Sequence, residues 1–277
     1  MLSNFHCHSQ FCDGTNPIED YITEAISQGF SSIGISSHCP VKINNLWSMK
    51  EENLPAYLHE IEILKEKYKS QIQVYASLEI DFIPEICDVS IFKDQLDYTI
   101  GSVHYAGCFA DGSYFEVDGS TQLFKKGIDE IYHGDIELFL ETYFSLIQEM
   151  ILKSPPQVIG HIDKIKIHNV VENFWNENGN HYKELLFETL ELIAQKKILV
   201  EVNTRGIYKK KTTETYPSIQ TLKLMKDLNI GVVVNSDSHH PREISLGFDI
   251  AYQNLKAAGY NSSFHFLEGE WKEVEFL

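Results

Sequence analysis

Short β-rich runs alternate with longer helical patterns along most of the chain, and no other feature narrows the possible folds as much. Apolar runs at residues 2–5, 32–36, 73–80, 97–102, 158–160, 199–203 and 231–235 read as strands. Helical patterns at about 17–28, 51–68, 136–153, 181–196 and 218–228 fall between them. A short helix is expected at 84–93, and a closing helix near 246–258 before a last strand at 264–267. Alternation at this spacing implies parallel strands joined by crossover helices. Seven such units favour closure into a barrel over an open sheet, and no glycine-rich dinucleotide fingerprint follows the first strand. No repeat, low-complexity tract or proline-rich linker divides the 277 residues, so a single domain spanning 1–277 is expected. The polar, glycine-containing stretch at about 105–134 is long for a loop and reads as an excursion over a functional site.

The ends of the strands carry the chemistry. His6 and His8 follow the first strand, with Asp13 shortly beyond; the second ends at His38, the third at Glu79 and the fourth at His104. The next ends at His161, and the seventh at Asp237 and His239. In a parallel barrel these ends converge on one face, where catalytic residues collect. The i, i+2 spacing of His6 and His8 puts both imidazoles on one side of an extended segment, and Asp237 and His239 repeat it. Neutral imidazoles with carboxylates suit zinc, iron or manganese. The remaining histidines, such as His59, His168 and His240, are assigned to surface or core.

Composition excludes several classes. The formal net charge of −17 argues against a nucleic-acid binder, because phosphate-backbone affinity needs a basic surface. No run of 18 or more apolar residues exists, so no membrane partner is expected. The first residues lack a basic region followed by an apolar stretch, and the five cysteines show no paired spacing, so a cytoplasmic, thiol-reducing setting is expected. Cys7 and Cys12 are read as small buried residues beside strands rather than ligands.

Taken in order, His6-x-His8, Ser-Ser-His38, Leu-Glu79, Gly-Ser-Val-His104, Gly-His161-Ile-Asp and Asn-Ser-Asp237-Ser-His239 resemble the motif series of the PHP (polymerase and histidinol phosphatase) family. The resemblance covers nearly the whole chain and is closest to the histidinol-phosphatases of that family. It implies a distorted (β/α)7 barrel with a site for two or three divalent ions at the C-terminal strand ends. By the same resemblance, His6, His8, Glu79 and Asp237 hold one ion. Glu79 bridges to a second, held also by His104 and His161, while Asp13, His38 and His239 hold a third. Some members carry a histidine where this chain has Asp13.

The implied reaction is hydrolysis of a small phosphate monoester, L-histidinol phosphate, to L-histidinol and phosphate in histidine biosynthesis. A hydroxide bridging two ions is the expected nucleophile, so no serine or cysteine nucleophile is required, and no Gly-x-Ser-x-Gly elbow is present. Asp237 and His239 are counted with the catalytic groups, together with Arg205, which follows the strand at 199–203 and can grip a phosphate. Lys164 is a second substrate-binding candidate, and the run Lys209-Lys210-Lys211 a weaker one. Phe115, Glu116 and Asp118 in the long excursion are expected to read the imidazole and ammonium of the substrate by stacking and charge. Two rival readings are a PHP-type phosphodiesterase or exonuclease on nucleotides or short RNA, and a metal-dependent amidohydrolase. A non-catalytic module would be expected to have lost some of these ligand positions.

Overall fold

A computed structural model describes residues 1–276. In chain order the elements are β1 (Ser3–Asn4), α1 (Ile18–Ser27), β2 (Ser32–Ile35), α2 (Leu54–Tyr68), β3 (Gln73–Ala76) and β4 (Glu79–Asp81). Next come β5 (Ile100–Ser102), β6 (Tyr105–Cys108), β7 (Tyr114–Glu116), α3 (Thr121–Ile131), α4 (Ile136–Lys153) and β8 (Val158–Ile159). The chain continues through α5 (Lys166–Val171), α6 (Asn180–Lys196), β9 (Leu199–Asn203), α7 (Arg205–Tyr208) and α8 (Ile219–Asp227). It closes with β10 (Val232–Asn235), α9 (Phe248–Ala257), β11 (Ser262–Leu267) and β12 (Glu270–Glu275).

Two parallel sheets, ordered β1-β2-β3 and β10-β9-β8-β5-β4, form a distorted (β/α)7 barrel. A parallel bridge between His38 and Glu79 joins the sheets on one side, and one between Cys7 and Ser238 joins them on the other. On that second side His8 N donates to Ser238 O (2.8 Å) and Ser238 N to His6 O (3.1 Å), so the first and last barrel strands meet.

The distortion has a local cause. The strand expected at 73–80 breaks at Ser77 and Leu78 into β3 and β4. There Ser77 N still donates to Ile35 O at 2.8 Å, and the buried Tyr57 hydroxyl lies 2.8 Å from Ile35 O and 2.7 Å from Ser77 O. The helix expected at 84–93 is absent: a tight reversal pairs Ile83 with Cys87, and only 3-10 turns follow. The stretch at 105–134 is also more ordered than its composition suggests, forming the β6–β7 hairpin and α3. Ser120 caps α3 by accepting from Leu123 N, and the helix buries Phe124 and Ile128. The last strand is longer than expected and pairs with an unforeseen antiparallel partner, β12.

The interior of the barrel is layered. Along β9, Val200 and Val202 face the surrounding helices, while Leu199, Glu201 and Asn203 alternate onto the inner side. The lower layer is apolar: Phe5, Tyr75, Tyr98, Ile100, Val158, Leu199 and Val233 meet Phe266 of the β11–β12 hairpin, which plugs the N-terminal end. Edge-on aromatic pairs, Phe5 with Trp271 at 5.2 Å among them, add about 0.5–1.5 kcal/mol each beyond burial. Tyr98 runs so close to β2 that a Cβ on Gly34 would lie 2.0 Å from its hydroxyl, so only glycine fits there. Above this layer the interior turns polar. Among the described residues, no helix is long and apolar enough to cross a membrane.

The plug hairpin also carries an acid sensitivity. Burial, with a smaller contribution from the Met1 amine, lowers His265 to about 4. The native state thus keeps the ring neutral, while the unfolded chain protonates it below about pH 6.5. Stability is complete above pH 6.5 and falls as pH drops towards 4, by about 3 kcal/mol in total from this group. Urea unfolding at several pH values should show a shallower acid loss for His265→Gln than for the wild type. Parallel curves for the two proteins would dismiss the effect.

Candidate metal centre

The polar layer begins with Glu201 and Asn203 from β9 and Asn235 from β10, all fully buried. Asn203 and Asn235 each donate a side-chain hydrogen bond (3.0 Å) to Glu201. The backbone N–H of His161 donates to Glu201 Oε2, the oxygen that Asn203 also reaches, at 2.9 Å. Glu201 in turn lies 2.6 Å from His6 Nδ1, and Asp81 lies 2.7 Å from His104 Nδ1. A carboxylate on Nδ1 holds a proton there and turns Nε2 inward. Against burial, the carboxylates around them raise His6 well above its usual range and His104 to about 9, so a cation at either Nε2 would displace a proton.

Glu79 stands at the centre. Its Oε2 is 3.1 Å from His6 Nε2, 3.5 Å from His8 Nε2 and 3.1 Å from His38 Nδ1. Its Oε1 is 2.8 Å from His161 Nε2 and 3.4 Å from His104 Nε2. The two oxygens of one carboxylate thus face two different sets of imidazoles. Asp237 Oδ1 lies 3.3 Å from His8 Nε2, and Asp237 itself has φ 51°, a left-handed conformation that strains a residue bearing a Cβ. Asp13 Oδ2 is 3.1 Å from His239 Nε2 at the outer edge.

The nine side chains expected from the strand ends are therefore gathered in one place. Three subsets bring one donor atom per residue within 4.8 Å of one another: His6, His8 and Asp237; Glu79, His104 and His161; and His8, Asp13, His38 and His239. His8 belongs to two of these, with Nε2 towards Asp237 and Nδ1 towards Asp13 at 3.7 Å. At the outer subset Arg205 Nη1 lies 2.8 Å from His239 Nδ1, and His239 Nε2 faces Asp13.

The donor set fits divalent cations. His6 Nε2, His8 Nε2, His38 Nδ1 and His104 Nε2 are buried and make no directed hydrogen bond among the described residues. Burying that many lone pairs is costly unless a cation takes them. Burial, reinforced by His239, lowers His8 to about 4, and burial with His8 lowers His38 to about 3, so both rings are neutral as ligation requires. Burial alone would raise Glu79 and Asp237. Instead His6 and His104 hold Glu79 well below the usual carboxylate range, and His6, Arg205 and Lys164 do the same for Asp237. Cys7 and Cys12 stay protonated beside the cluster: burial pushes Cys7 to about 12 and Cys12 to about 11.

A cavity opens over the cluster, lined in part by Asp13, Trp47, Glu116, Asp118, Lys164 and Arg205. Lys164 pairs with Asp118 at 2.8 Å and lies 3.9 Å from Asp237. Arg205 also donates to Asp237 O at 2.7 Å. Lys211, the last of the basic run, reaches the cavity, whereas Lys209 pairs with Glu243.

Phe115 does not reach the cavity, contrary to expectation. It is fully buried in an aromatic cluster with Phe109, Phe124, Tyr132 and Phe139. On β7 its neighbour Glu116 points the other way, as strand alternation requires. Phe115→Ala is expected to destabilise the fold by about 3–5 kcal/mol, with KM unchanged under folding conditions. Chemical denaturation checks this, and a raised KM at full stability would return Phe115 to the site. Sequence reasoning missed Glu201, Asp81, Trp47 and Tyr216. For the first two a signal existed, because Glu79-Ile80-Asp81 and Glu201-Val202-Asn203 place polar groups two apart on one strand face.

The model of the PHP domain family matches residues 4–205. The chain belongs to the PHP domain family. Several relatives are similar to it over nearly their full length. Histidinol-phosphatase of Bacillus subtilis is 29% identical, the match covering 88% of this chain and 96% of that one. A crystal structure of histidinol phosphate phosphatase from Lactococcus lactis, in complex with zinc, L-histidinol and phosphate, is 23% identical. It superposes with a TM-score of 0.72 over 98% of both chains. A candidate histidinol phosphatase from Listeria monocytogenes has a TM-score of 0.78 at 22% identity, over 90% of this chain and 99% of that one.

Proposed function

We propose that the chain, acting as one phosphoesterase domain in the cytoplasm, is a metal-dependent phosphomonoesterase that hydrolyses L-histidinol phosphate to L-histidinol and phosphate. The observation that carries this reading is the two-sided Glu79 carboxylate, ringed by imidazoles on both sides, two of which, His38 and His104, line a cavity together with Arg205 and Lys164. The names of the relatives agree with it.

In this reading His6, His8, Glu79 and Asp237 hold one ion, Glu79, His104 and His161 a second, and Asp13, His38 and His239 a third. Bound divalent cations lower the pKa of water towards neutrality and offset charge on phosphoryl oxygens. The protein groups do the rest. Glu201 and Asp81 orient His6 and His104 through their Nδ1 atoms. Arg205 presents a guanidinium to the phosphoryl group and Lys164 an ammonium, kept charged by Asp118 and Asp237. Glu116, at the mouth, attracts the positively charged alcohol half of the substrate. Asp237 and His239 act both as ligands and as the groups closest to Arg205.

Steady-state kinetics on a panel of phosphate monoesters and a dinucleotide, with zinc, manganese or iron added singly, tests this. Phosphate release from histidinol phosphate should exceed that from the other esters, with no cleavage of the dinucleotide. Preferential cleavage of the dinucleotide would replace the reading.

A further inference from the structure

His168 stands outside the metal cluster, yet it is 1% exposed and both of its ring nitrogens have partners. Nε2 lies 2.8 Å from Val117 O, and a carbonyl oxygen only accepts, so the proton sits on Nε2. Nδ1 faces Thr121 Oγ1 at 3.5 Å, and the ring stacks on Phe124 of α3 at 4.1 Å and 17°.

The bond closes on a segment that carries two cavity groups. Val117 is pinned from both sides: its N–H donates to His104 O at 2.9 Å, and its C=O accepts from His168. Glu116 and Asp118, on either side of it, line the cavity. His168 belongs to α5, which follows closely on another cavity group, Lys164. Ile167 N donates to Lys164 O at 3.0 Å and His168 N to Ile165 O at 3.1 Å, so Lys164 and His168 share one helical run. Two cross-links therefore join the same two segments, 116–118 and 164–168. One is the Asp118–Lys164 ion pair at 2.8 Å, the other the Val117–His168 hydrogen bond. A lysine ammonium rides on a flexible four-carbon stem. Asp118 can hold it in one place only as far as the backbone that bears Asp118 is itself fixed.

We propose that His168 is a positioning residue: through Val117 it sets where Asp118 holds the Lys164 ammonium, and so how firmly the cavity grips a phosphoryl group. It touches no substrate itself. The inference rests on the phosphomonoesterase reading, but the grip on inorganic phosphate is measurable apart from turnover.

The test compares wild type, His168→Phe, His168→Gln, Asp118→Asn and the double variant His168→Phe/Asp118→Asn, all loaded with zinc. Each is titrated calorimetrically with inorganic phosphate and assayed on L-histidinol phosphate. Phenylalanine keeps the stacking on Phe124 and loses the donor, whereas a glutamine amide N–H can take the place of Nε2–H. His168→Phe should weaken phosphate binding and raise KM, each by about five- to tenfold, with kcat within about twofold and bound metal unchanged. His168→Gln should recover most of the affinity. In the Asp118→Asn background, His168→Phe should cost less than about twofold more, because the pair it positions is already gone. Should His168→Phe not fold, His168→Asn, whose shorter amide falls short of Val117 O, takes its place. Additive losses in the double variant, or unchanged phosphate affinity in His168→Phe, would leave His168 as packing between α3 and α5 and overturn the inference. Wild type that binds phosphate but hydrolyses no monoester would overturn the functional reading alone, and the phosphate titrations would still decide the role of His168.

Discussion

Glu79→Gln is expected to lower turnover of the phosphate ester by on the order of a thousandfold and to reduce the metal that the purified protein retains. The substitution barely changes shape, so the effect is electrostatic. Glu79 is 1% exposed, and five imidazoles lie within 3.5 Å of its two oxygens. Replacing one oxygen by an amide turns an acceptor towards one of those sets into a donor and removes the charge that holds both. Elemental analysis and kcat measured on one preparation decide the matter. A variant with a full metal complement and turnover within tenfold of wild type would mean that Glu79 is not the hub of the site.

Chelation should abolish activity and lower the melting temperature together. A ligand that binds only the folded state adds about 2.7 kcal/mol when its free concentration is a hundred times Kd. For a chain of this size each kcal/mol moves the midpoint by about 2–4 °C, so stripping even one site costs roughly 5–10 °C. Zinc or manganese should restore both properties. Magnesium, which prefers oxygen ligands, should restore them poorly, because the donor set is mostly imidazole. Scanning calorimetry with and without chelator measures the shift, and a midpoint insensitive to both chelator and zinc would argue that the cluster is satisfied by its own protons.

How much of this was readable in the sequence depended on where each residue sits relative to a strand end. His6, His38, His104 and His161 could be found because each closes an apolar run that a parallel fold must bring to one face. Glu201 could not be singled out in the same way, since it lies inside a strand and its role depends on Asn203, Asn235 and His6 packing around it. Phe115 was misplaced because acidic neighbours made it look like part of a binding loop, whereas β7 alternation sends it into the core and Glu116 into the cavity. The stretch at 105–134 hid a helix for a related reason. Its glycines and polar residues mask Phe124 and Ile128, which become an apolar face only once α3 forms. Trp47 was invisible, because its place over His38 comes from a turn with no strand or helix signature.

The pairing of Cys7 with Ser238 means that ligands more than two hundred residues apart in the sequence share one pocket. During synthesis, His6 and His8 leave the ribosome long before Asp237 and His239 exist, so an emerging chain holds only a partial chelate. Full affinity for the ions arrives with the last turn of the barrel. Loading with metal therefore reports that translation has passed β10, and a product that stops short of it keeps neither the complete ligand set nor the seam that shuts the barrel.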